Sequence, residues 1–197
     1  MTFMDRAAEL ALVERLRGAK PGAFDEIYAA YNLRLFNFLA RLSRRPDVAE
    51  DLLEETWVRV IEHAGRLRPD TRLAPWLFTV ARNLYFSYCR TRALDDGLTA
   101  SIGLWPFAMP HPSPYEATAA NELERRVETA LASLPRVYRE VLLLVWVEGL
   151  TPAEAALVCG IRADALRQRL SRGRALLAEK LRRTDEPGIA VLGEVLP

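Results

Sequence analysis

The chain has 197 residues, short for two ordinary domains and long for one. Half of them are apolar and 27% are charged, with 27 Lys and Arg against 26 Asp and Glu, a globular composition that excludes a chain disordered throughout. The longest uninterrupted apolar run, Val141 to Val147, falls far short of the roughly 20 residues that a membrane-spanning helix requires.

Residues 1–20 begin with a helix start in which Asp5, Arg6, Glu9, Glu14 and Arg15 interrupt the apolar residues, a pattern unlike a signal peptide. Residues 21–92 read as a first helical unit. After Pro21, Phe24, Ile27, Tyr28, Tyr31, Leu35, Phe38, Leu39 and Leu42 recur at spacings of three and four, one face of a helix. Pro46-Asp47 predicts the next start, with Asp47 as N-cap and Glu50 completing a capping box. That helix is expected to bury Leu53, Trp57, Val60 or Ile61, and Ala64, and to end at Gly65. A polar loop leads to Pro75 in a first turn, followed by an inward stripe of Leu77, Val80, Ala81, Leu84 and Tyr88.

Residues 93–120 lose the helical period. Asp95-Asp96-Gly97, Trp105-Pro106, Met109-Pro110 and His111-Pro112-Ser113-Pro114 predict a flexible linker and a domain boundary. Its polar, irregular composition leads us to expect two units that fold independently and change their relative position.

Residues 121–183 form a second helical unit. Helices run to Ala132 and restart at Pro135, and Val141 to Val147 reads as a buried stretch ending at Gly149. Thr151-Pro152-Ala153-Glu154 is the strongest capping signal in the chain, with Thr at N-cap, Pro at N1 and Glu at N3. Cys159-Gly160-Ile161 ends that short helix in a turn, and a second helix follows from about Ala163 to Arg182, a helix-turn-helix. The tail, 184–197, contains the apolar Ile189-Ala190-Val191-Leu192 beyond Pro187-Gly188, and is expected to pack on the second unit or on a regulatory partner. The fold class is therefore all-α, two small helical domains joined by a linker.

Charge is distributed unevenly. Asp47, Glu50, Asp51, Glu54 and Glu55 stand together without a base, while Arg162, Arg167, Arg169, Arg172, Arg174, Lys180, Arg182 and Arg183 crowd the last helix. On that helix Leu166, Leu170, Gly173, Leu177 and Leu181 share one side. Asp164, Gln168, Ser171 and Arg172 lie opposite, flanked by Arg167, Arg169 and Arg174. An apolar stripe, a polar strip and flanking arginines suit a recognition helix, because Gln pairs with adenine and Arg with guanine in the major groove while further arginines hold phosphates. The plain alternative is an amphipathic helix with solvated arginines.

Leu134-Pro135, Arg139-Glu140-Val141-Leu142-Leu143-Leu144, Glu148-Gly149-Leu150-Thr151 and the Arg-rich helix together resemble region four of a bacterial sigma factor. Ala23-Phe24-Asp25, Asp51 to Trp57 and Pro75 to Asn83 resemble region two. Two such units in this order, with no domain between them, resemble the extracytoplasmic-function (ECF) group over about residues 8–183. Glu54 stands where the family has Gln, and Asp164-Ala165 stand where it has Gly-Thr.

The resemblance implies a non-enzymatic specificity subunit that binds core RNA polymerase, at the clamp helices of the largest catalytic subunit and at the flap, and reads promoter DNA. Asp51, Leu52, Glu55, Thr56 and Arg59 occupy the positions that dock on the clamp, where an acidic stripe would steer association; Asp47 and Glu50 instead suit the helix macrodipole. Arg72, Trp76, Arg82, Asn83, Phe86 and Arg90, with Tyr85 among them, lie where the family captures the minus-ten strand by stacking and basic contacts, although Trp76 and Phe86 also suit a core. Asp164, Arg167, Gln168, Arg169, Ser171, Arg172 and Arg174 would serve the minus-thirty-five element. The same resemblance implies an anti-sigma partner.

No catalytic, metal or cofactor site is expected. His63 and His111 lie in different units, Cys89 and Cys159 have no ligand-spaced neighbour, and no Gly-rich phosphate loop or nucleophile elbow occurs. Two distant cysteines suit a reduced, cytoplasmic setting. Two other readings remain at this point: a helix-turn-helix regulator that binds DNA alone as a dimer, and a sigma-like decoy that sequesters an anti-sigma protein.

Overall fold

The computed structural model describes residues 5–95 and 122–185. All regular structure among them is helical. The first unit comprises α1 (Arg6–Arg17), α2 (Ala23–Ser43), α3 (Pro46–Ala64) and α4 (Leu73–Asp95). The second comprises α5 (Glu122–Ala132), α6 (Arg136–Leu142), a π-helical turn (Leu143–Val147), α7 (Pro152–Cys159) and α8 (Ala163–Asp185). The expected linker lies outside the described residues except for its first three. The tail beyond Asp185 lies outside them entirely.

In the first unit the apolar spacing of α2 places Ile27, Tyr31, Leu35, Phe38 and Leu39 inward, against α3 and α4. Phe38 meets Phe78 of α4 edge to face, with ring centroids 5.2 Å apart. Tyr28 and Ile61, expected inside, are exposed; on α3 the buried alternative is Val60. The start of α3 also differs from expectation. Pro46, whose fixed φ suits the first helical position, takes N1 and leaves Arg45 as N-cap, so Asp47 falls within the first turn and no capping box forms. Asp47 instead pairs with Arg45, whose hydrogen bond holds the carboxyl below the usual range.

Helix α1 stabilises the entry to α4. Buried Glu9 accepts from the Leu73 backbone N–H at 2.8 Å, occupying a donor that a helix start leaves unpaired, and also meets Arg6 and Arg72. α4 thus begins two residues before Pro75.

In the second unit the Thr151–Glu154 capping box is present, and Gly160 closes α7 at φ +63° in the left-handed region that favours glycine. Leu166, Leu170, Gly173 and Leu177 are buried as expected. Gly173 permits close approach of α6: a Cβ there would lie 3.3 Å from Leu142 Cδ1. The Val141 to Val147 stretch is buried only to Leu144. The π turn, with Glu148 N–H donating to Leu143 O at 2.9 Å, rotates Trp146 outward.

The expectation of two units without a shared core meets a different arrangement. α7 lies along α4, α6 touches α2, and the buried apolar residues of both units form one continuous cluster. Four arginines of the first unit pair with four acids of the second: Arg34 with Glu148, Arg41 with Glu128, Arg72 with Glu154 and Arg82 with Glu140. Buried Arg139 runs the other way, donating to Leu131 O, Ala132 O and Leu134 O and across to Leu42 O at 3.3 Å. Burial lowers its pKa to about 10. Composition gives no sign of this contact, because its partners lie far apart in the chain.

Candidate nucleic-acid interface

Three surfaces follow from this frame, the first on α8. The capped α7 and the Gly160 turn fix the angle at which α8 leaves, and its leucines seat it against α6 and α7. Asp164, Arg167, Gln168, Ser171, Arg172 and Arg174 are all exposed. Asp164 and Arg167 form an ion pair at the helix start, where an acid also suits the macrodipole. Arg174 stacks its guanidinium 5.1 Å from the exposed Trp146 ring. Gln168, Ser171 and Arg172 therefore form an open polar strip between two arginines whose heads are already placed. Arg169 differs from its companions: it is half-buried on the side towards Cys159.

Helix α4 carries the second surface. Arg72 is exposed at its start, and Arg82, Asn83, Phe86 and Arg90 follow along it. Asn83 is open to solvent, and Arg90 donates to Ser87 Oγ at 2.9 Å. Trp76 is half-buried and packs on the core. Tyr85 is buried beside Cys89 and Arg136, and burial keeps its hydroxyl protonated well above the ordinary phenol range. Phe86 lies between two guanidinium groups, Arg82 at 4.3 Å and Arg136 at 4.4 Å from its centroid. Arg82 pairs with Glu140, which is 1% exposed and has its second oxygen, Oε2, buried without a hydrogen bond. Burial and the neighbouring Glu140 push the Cys159 thiol up to about 12. Arg136 and Glu140 belong to the second unit; the sequence gives Glu140 a place only in the region-four motif and neither residue a site role.

The third surface is α3. Asp51, Glu55 and Arg59 face outward, and Arg59 donates to Glu55 at 2.9 Å. Leu52 and Thr56 do not accompany them: both are buried, and the Thr56 hydroxyl donates to Leu52 O at 2.6 Å. They continue the Ala49–Val60 stripe into the core. Exposed Val58 and Ile61 give this acidic face an apolar centre instead. They fall out of phase with the buried stripe, which is the sequence signal that could have found them. Among the described residues no group of His, Cys, Asp and Glu is arranged to hold a metal ion.

These surfaces occur on a chain with clear relatives. Residues 27–94 match the family model of sigma-70 region 2 and residues 124–177 that of sigma-70 region 4. The RNA polymerase sigma factor CarQ of Myxococcus xanthus is 34% identical over 86% of this chain and 95% of its own length. The ECF sigma factor EcfG of Rhodopseudomonas palustris is 34% identical over 80% of this chain and 83% of its own. Among solved structures, the sigma factor RpoE in complex with the anti-sigma factor NepR from Bartonella quintana matches with TM-score 0.67 and 27% identity, over 84% of this chain and 99% of that one. CnrH in complex with the cytosolic domain of CnrY, at 23% identity and TM-score 0.66, covers 90% of this chain and 99% of its own and shares the fold. A region 2 match preceding a region 4 match sets the chain apart from a stand-alone helix-turn-helix regulator: it belongs to the ECF group of RNA polymerase sigma factors, which direct transcription from promoters.

Proposed function

We propose that α8 reads the minus-thirty-five element through Gln168, Ser171 and Arg172, with Arg167 and Arg174 on the flanking phosphates. The observation that carries this reading is the open strip on α8, held at a fixed angle by the capped helix and Gly turn before it. Asn83, Arg82, Phe86, Arg72 and Arg90 along α4 capture the unpaired minus-ten strand, combining an aromatic face with cationic groups. Trp76 supports that helix from below. Asp51, Glu55 and Arg59 with Val58 and Ile61 form the surface for the clamp helices of core polymerase, acids for steering around an apolar centre for contact. Leu52 and Thr56 position the helix that carries it.

The protein acts in this reading without catalysis of its own, in the cytoplasm where polymerase works; no described helix is long and apolar enough to cross a membrane. An anti-sigma protein is a fitting regulator, since RpoE and CnrH were both solved with a bound partner. The test is transcription in vitro with core polymerase and a genomic promoter library. The expected result is initiation at a set of promoters sharing an upstream and a minus-ten element, seen only with both core enzyme and this chain present. Tight operator binding by the chain alone, with no polymerase-dependent transcripts, would overturn the reading.

A further inference from the structure

Helix α1 lies before the residues that match region 2, and the proposed function gives it no part. Its placement is nonetheless fixed at both ends. Leu12, Val13 and Leu16 are buried and pin its C-terminal half to the core, where it packs on α2. Its first turn reaches the loop between α3 and α4. There Arg6 donates to Asp70 O at 2.9 Å and to Thr71 O at 3.4 Å, the two carbonyls immediately before Arg72. Glu9 follows on the same face. One of its oxygens accepts from the Leu73 N–H at 2.8 Å, immediately after Arg72. The other meets Arg6 at 2.5 Å and Arg72 Nε at 3.4 Å. α1 therefore grips the backbone on both sides of Arg72 and the side chain itself.

Capping alone does not account for this arrangement. A helix start is ordinarily capped by a short polar side chain next to it in the chain, whereas this carboxylate comes from 64 residues away. A buried charge needs a partner, and Arg6 already supplies one. The second partner, Arg72, is 55% exposed while the Glu9 side chain is only 10% exposed. Glu9 thus holds the inner, Nε edge of the guanidinium and stays clear of whatever meets its outer edge. Arg72 Nη2 also reaches Glu154 of α7 at 3.0 Å, but Glu9 belongs to the same unit as Arg72, so its hold needs no contact with the second. An arginine oriented in advance loses less conformational freedom when it binds a phosphate. We propose that Glu9, braced by Arg6, is a positioning residue for minus-ten strand capture, setting the direction of the Arg72 guanidinium before the strand arrives. This rests on the assignment of Arg72 to strand capture.

Cap and orientation are separable, because Glu9→Gln keeps an acceptor for the Leu73 N–H and loses the charge that holds Arg72. The experiment is a double-mutant cycle in holoenzyme, on one promoter recovered from the transcription library and read by permanganate reactivity of its minus-ten thymines. Circular dichroism reports folding and a native gel reports core binding. Arg72→Ala should lower thymine reactivity about tenfold, the loss of one charge-assisted contact. Glu9→Gln should stay folded, bind core like the parent and lower reactivity about threefold, since only the orientation of that contact is lost. In the Arg72→Ala background it should add no further loss. Arg6→Gln leaves the Leu73 cap in place and should behave in the same way; whichever of the two variants folds decides the matter. Equal losses with and without Arg72 would overturn the proposal, because Glu9 and Arg6 would then act through the fold and not through Arg72. Full reactivity with both folded single variants would overturn it as well. Full reactivity with Arg72→Ala would instead remove the strand-capture assignment of Arg72 and, with it, the positioning role.

Discussion

Arg172 and Arg174 are two residues apart on α8, yet their surroundings differ, and the proposed function gives them different work. Arg172 is exposed within the open strip, free to present a planar pair of donors to a guanine edge. Arg174 has its head placed over Trp146, which in the proposed function sets a cation beside the groove rather than inside it. Arg172→Ala should therefore weaken holoenzyme binding by about 1–3 kcal/mol on the preferred upstream element and much less on a scrambled one. Arg174→Ala should weaken both DNAs similarly and lower the salt dependence by about one unit. Binding to matched and scrambled elements across a salt series checks both; equal losses on the two DNAs for Arg172→Ala would contradict its role in base reading. Asp164 fits the same logic. Its ion pair with Arg167 neutralises an acid that the proposed function sets near phosphate, and it orients that arginine.

At the scale of elements, local signals were legible and distant ones were not. The Thr151 capping box, the Gly160 turn and the leucine stripe of α8 are sequence-local devices, and the structure has all three. Asp47 as N-cap failed because Pro46 competes for the position next to it, and the ring's fixed φ prevailed. Leu52 and Thr56 show the cost of carrying a whole motif onto a surface. The resemblance placed them with Asp51 and Glu55, whereas the three-to-four spacing from Ala49 to Val60 runs through both and into the core. Nothing in the sequence around Glu9 announces a cap for a helix that starts at Leu73. Glu9→Ala should destabilise the chain by about 1–3 kcal/mol, leaving a buried backbone donor unpaired, while Glu9→Gln, which keeps an acceptor, should cost less. Urea unfolding of the two variants decides this, and equal losses would show that the charge on Arg6 and Arg72 matters more than the cap.

For the whole molecule, the two-unit organisation was legible in the loss of helical period after α4, but the way the units meet was not. Arg34 and Glu148, or Arg82 and Glu140, are single charges among many, and no spacing links them. Only folding brings them together, and once buried such a pair resists removal of one partner because the other charge is left without compensation. In the proposed function both units nevertheless act on one promoter, α8 holding the duplex upstream and α4 taking the strand where it opens. Permanganate footprinting of holoenzyme on a cognate promoter separates these two duties in one gel. The parent protein should make the minus-ten thymines reactive. Arg82→Ala should leave upstream protection in place with the thymines unreactive, and Arg172→Ala should reduce protection and reactivity together. Full thymine reactivity with both variants would contradict the assignment of reading to α8 and opening to α4.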